Sequence, residues 1–191
     1  DKISTSRKSR AAFTLDDRSQ VILSGGSTIS IDKNIYDPEK RFRQMLFRMS
    51  KGAARFVVSK SMKKGSSFTV ITPNGVAGVR GTEFVTLVDP NEETRFVVLE
   101  GKIETAPRLP NGKWGTRSFI RAGEMQSMVD DRVYGVKRSF EITAIYLNGT
   151  RGPSRTTKKV MMTAPPSSPN SPEIYTATGA IPTNLRLSRS I

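Results

Sequence analysis

The sequence contains neither cysteine nor histidine. Their absence removes thiol nucleophiles, imidazole bases, zinc-ribbon spacings and the Ser-His-Asp triad together. It leaves the compartment open, because a cysteine-free chain suits the cytosol and the bacterial periplasm equally. No apolar run approaches the roughly 18–20 residues of a membrane-spanning helix, and no charged start leads into an apolar stretch. Tryptophan occurs once, at Trp114, where packing that buries at least part of the ring is expected. Acidic charge is also scarce: 17 Asp and Glu stand against 31 Lys and Arg, a net charge of +14 in 191 residues.

That surplus is concentrated. From Pro38 to Lys64 nine basic residues, among them Lys40, Arg41, Arg43 and Arg48, face a single acid, Glu39. A second surplus follows residue 131 and includes Arg151, Arg155, Lys158 and Lys159. Such surfaces attract polyanions or acidic proteins, whereas a solvated basic face with no polyanion is the plainer reading.

The hydrophobic fraction of 36% supports a core. Short β-prone runs separated by turn residues fill the first 131 positions: Ala11 to Leu15, Gln20 to Ser24, Thr28 to Ile31, then "ARFVVSK", "FTVIT", "EFVTLVD", "TRFVVLEG", "KIETA" and "SFIRAGEMQSMVD". The stretch from Pro38 to Ser50 fits both helical and strand spacing; it reads best as a turn and then a strand ending at Lys51-Gly52. The expectation is an all-β sandwich, roll or short β-solenoid, with 1–131 as the main domain. Residues 132–164 read as a β-hairpin extension, and the five prolines and many serines of 165–191 as an extended or disordered tail.

One stretch, "TPNGVAGVRGTEF", sets Gly75, Gly78 and Gly81 three residues apart. The spacing matches neither G-x-G-x-x-G nor the P-loop, and no helix is expected behind it to receive a phosphate. Glu83 is a carboxylate without a second one placed beside it, so a catalytic pair is not indicated. The turn chemistry favours a tight corner feeding a strand, with Thr82 and Phe84 on one face, Glu83 and Val85 on the other, and Arg80 within reach of Glu83. Neighbouring acids such as Asp16-Asp17 fall in expected turns, where solvation explains them.

Taken with "TRFVVLEGKIET" and "IRAGEMQSMV", this stretch resembles the FecR domain, a bacterial extracytoplasmic family. The residues that carry the resemblance are Thr72, Pro73, Val79, Arg80, Gly81, Thr82, Glu83 and Phe84, with Glu100, Gly101, Ala122, Gly123 and Glu124 downstream. The first thirty residues also resemble the family's earlier segment, with Arg18 where Gly is usual; the family's preceding strand is missing, which places Asp1 inside a longer product. The resemblance implies a non-enzymatic, periplasmic or otherwise extracytoplasmic β domain that acts through protein contacts, with the signature residues bearing the fold. It implies no cofactor and no metal.

Residues 139–164 faintly resemble the last hairpin of a fibronectin type III module. In the tail, Ile174, Tyr175, Leu185 and Leu187 are candidate anchors on a partner, as are the basic residues named above. The leading expectation is a structural or assembly subunit that contacts other protein subunits of a larger envelope assembly. A regulatory sensor of the FecR type is the alternative, and binding to peptidoglycan, lipopolysaccharide or nucleic acid a further one, nucleic acid being the least favoured.

Overall fold

A computed structural model describes residues 1–60, 63–138, 142–143 and 159–160. The described residues are all strand and turn, as the alternation of apolar and polar positions leads one to expect. The chain separates into two units, Asp1–Ser139 and Phe140–Ile191.

The first unit holds thirteen strands in one continuous mixed sheet. Its axis is β5 (Phe42–Val57), sixteen residues long. The first half of β5 pairs antiparallel with β4 (Thr28–Asp37) and parallel with β6 (Ser67–Ile71). Beyond β6 follow β7 (Gly75–Val79), β10 (Lys102–Pro107) and β11 (Ser118–Arg121), while β1 (Lys2–Ser4) lies on the far side of β4. The second half of β5 pairs with β3 (Gln20–Leu23) and β8 (Glu83–Val88). That half continues through β9 (Thr94–Glu100), β12 (Glu124–Val129) and β13 (Arg132–Arg138), with β2 (Ala11–Thr14) on the other edge. β13 belongs to this sheet, so the body runs past the boundary expected at 131.

β5 does not end at Gly52, as the sequence suggested; it bends there. Met45, Phe47 and Met49 point inward at odd positions, and Ala54 and Phe56 at even ones. The inward parity changes across 50–53, where the pairing with β4 shifts register and Gly52 takes φ +90°. A Cβ at Gly52 would also fall 2.5 Å from Ser27 Cα, so this bend needs glycine twice over. The two half-sheets thereby turn their apolar faces toward each other. Phe47, Phe56, Phe68, Phe84 and Phe96 fill the space between them, all at most 1% exposed. Phe56 stacks on Phe84 with centroids 5.0 Å apart and meets Phe47 and Phe68 edge-on, joining both halves.

Of the second unit, β14 (Ile142–Thr143) and β15 (Lys159–Val160) pair antiparallel. The rest of the expected hairpin and the whole Pro-rich tail lie outside the described residues.

Candidate functional site

The signature stretch closes two corners. Thr72 is 2% exposed; its Oγ1 donates to Gly75 O (2.9 Å) and accepts from Gly75 N (3.0 Å) and Thr94 Oγ1 (2.9 Å), which ties the turn through Pro73 to β9. The three glycines then serve three different ends. Gly75 faces the core, where a Cβ would lie 2.3 Å from Met128 Sδ. Gly78 points outward into open space, where a Cβ would meet nothing closer than Glu104 O at 3.9 Å. Gly81 adopts φ +76° beside Lys60 and turns the chain into β8.

Beyond that turn, Thr82 Oγ1 donates to Lys102 O (2.9 Å), and Phe84 lies in the same core as the buried Val79. Gly101 and Gly123, both at positive φ, sit where Ala122 N donates to Gly101 O and Gly123 N to Val98 O. Glu83 does not pair with Arg80. Its partner is Arg55 on the adjacent strand (Nη2 to Oε1, 2.5 Å), because the turn at Gly81 sends Arg80 to the outer face of the first half-sheet and Glu83 to that of the second.

The basic candidates divide in the same way. Lys40 and Arg41 stand exposed at the tip of the β4–β5 hairpin, where Lys40 pairs with Asp37 (3.0 Å). Arg48 pairs with Asp32 (2.9 Å). The guanidinium of Arg48 and the N–H of Lys40 hold the carboxyls of Asp32 and Asp37, respectively, below the ordinary Asp range. Arg43, expected on the surface, is 3% exposed and unavailable to a partner. Its odd position in β5 points it inward, where it pairs with Asp17, sits 3.3 Å from Ser19 Oγ and lies over the Phe68 ring at 5.5 Å. Asp17 likewise contradicts the solvated-turn reading: it is 8% exposed and accepts from Ser19 N (2.9 Å) and Ser19 Oγ (2.7 Å). Arg18, in the place where the family has glycine, holds φ +67°. The turn keeps the glycine conformation at some cost in strain.

Lys159 lies in β15; Arg151, Arg155, Lys158, Ile174, Tyr175, Leu185 and Leu187 lie outside the described residues. Trp114 is 43% exposed, partly buried as expected, on the loop between β10 and β11. Sequence reasoning missed a row of cations, Arg80, Lys102 and Arg121, on the outer face of the first half-sheet. Each alternates with a buried apolar neighbour, Val79, Ile103 and Ile120, and that alternation is legible. Their alignment depends on strand register, which is not.

The FecR protein family model matches residues 1–104. The chain belongs to the FecR family. Two crystal structures of a candidate anti-sigma factor from Parabacteroides distasonis share the fold, with TM-scores of 0.59 and 0.58 at 20% and 19% identity. Each superposition covers 75% of this chain and 62% of the other, so this FecR chain spans less than two thirds of those proteins. No curated protein matches it. Among the described residues no helix is long and apolar enough to cross a membrane.

Proposed function

We propose that this FecR-family chain is the extracytoplasmic, protein-binding part of a regulatory system that controls transcription through a sigma factor. Family membership over residues 1–104 carries this reading, and the fold shared with candidate anti-sigma factors supports it. The β body offers a rigid, non-enzymatic platform: its signature residues are spent on corners and core, which leaves its outer faces for recognition. Regulation takes precedence over the assembly subunit first expected, because neither the fold nor its relatives favour a scaffold.

Deletion of residues 1–138 from the full gene product, followed by transcript profiling, tests the reading. A discrete set of transcripts is expected to change several-fold. Unchanged transcripts combined with loss of an envelope structure would restore the assembly reading instead.

A further inference from the structure

In the first half-sheet Lys102 stands directly opposite Arg121, and Val79 opposite Ile103. Arg80, the next residue after Val79, therefore lies beside Lys102, and three cations line up across β7, β10 and β11. Val79, Ile103 and Ile120 are buried behind them, at 3%, 1% and 0% exposure, so the row faces outward. None of the three is within ion-pair distance of a carboxylate among the described residues. The nearby acids are engaged: Glu104 with Arg117 (3.1 Å), and Glu124 with the Arg121 backbone N–H (2.7 Å). Like charges directly opposite across strands are destabilising. Folding alone does not account for such a row.

Three further features surround it. Phe119, 56% exposed, lies on the same face with Lys102 Nζ 5.4 Å from its ring centroid. Gly78 occupies the adjoining row, opposite Glu104 and Thr69. Neither its φ nor any close neighbour demands glycine, and its missing side chain leaves the surface beside the row low. Finally, among the described residues β11 ends the strand order and pairs only with β10, so its other edge has no strand partner there.

We infer that this edge receives an extended, carboxylate-rich segment of a partner protein, added as a strand beside β11. An acidic side chain opposite Arg121 meets that guanidinium and reaches toward Lys102, Arg80 adds to the attraction from two strands further in, and an apolar residue rests on Phe119. Two guanidinium groups suit planar carboxylates, and the exposed ring distinguishes a peptide from a purely ionic polymer. The inference rests on the proposed regulatory function and gives its partner a chemistry.

The test uses the whole 191-residue chain and fluorescence anisotropy of a short dye-labelled peptide rich in Glu with one Phe. Neutralising the row (Arg80→Gln, Lys102→Gln, Arg121→Gln) is expected to weaken binding at least about tenfold. Neutralising three cations elsewhere (Lys8→Gln, Lys40→Gln, Arg41→Gln) leaves affinity within about twofold. Equal losses in both variants would reduce the effect to net charge and overturn the site. So would row-dependent binding of heparin with no peptide binding, which would assign the row to an anionic glycan. Self-association of the row variant with unchanged peptide affinity would make the cations guards of an open edge and overturn docking. In cells, a transcript response to the 1–138 deletion but not to the row variant defeats the docking site alone; no response to either defeats the regulatory reading.

Discussion

Strand β5 carries three arginines, each paired with an acid, in three different settings. Arg43 meets Asp17 inside the body, with both side chains 4% exposed. Arg55 meets Glu83 half-sheltered, at 17% and 23%, and Arg48 meets Asp32 at the surface, at 54% and 29%. Chemistry and strand are the same; only the parity of the position and the bend at Gly52 differ. Position along a strand, more than residue type, decides whether an arginine is a structural element or a handle for a partner. Desolvation makes breaking the inner pair costly, since the survivor is a buried, uncompensated charge. At the surface water takes the lost partner's place.

The inner pair is most sensitive at Asp17. Asp17→Ala is expected to destabilise the protein by about 3–5 kcal/mol in urea unfolding, while Asp17→Leu combined with Arg43→Met recovers most of that loss. If the double variant is no better than the single, the pair itself is holding the β2–β3 turn to β5 and desolvation is not the main term. Arg55→Ala falls between the extremes, at about 1–2 kcal/mol in the same assay. Arg18→Gly probes the turn that presents Asp17, and relief of its left-handed strain is expected to add about 0.5–1 kcal/mol. Arg48→Ala costs about 0.5 kcal/mol or less and approaches zero at 1 M salt. Smallest is the acid response of Asp32 and Asp37. Their folded pKa values are lowered, so their contribution is complete above the ordinary Asp range and fades as pH falls through the lowered values. Carboxyl NMR titration of the hairpin would place both midpoints below that range.

Much of the body was legible in the sequence because an apolar–polar alternation such as that of "SFTV" in β6 leaves a strand little choice of face. The corner at Thr72-Pro73 and the turn at Gly81 were legible for the same local reason: proline and glycine restrict or release the backbone where they stand. The interior course of Arg43 was not, because charge argued for exposure and only the register of β5 against the β2–β3 turn supplies its acid. The passage of β5 through Gly52 was hidden as well; a glycine reads as a stop unless both flanking segments are known to have neighbours. Arg80, Lys102 and Arg121 are far apart in the chain and line up only through the registers of β7 with β10 and of β10 with β11.

Since β5 is hydrogen-bonded into both half-sheets, neither can open without loosening the other's central strand. Amide exchange at Phe47 and at Phe56 is therefore expected to report one and the same free energy, that of global unfolding. The body then behaves as a single cooperative unit. Its folding has to wait for β3 and β8 to close on a strand distant in sequence, which points to relaxation in milliseconds to seconds, slower than a helical domain of equal size.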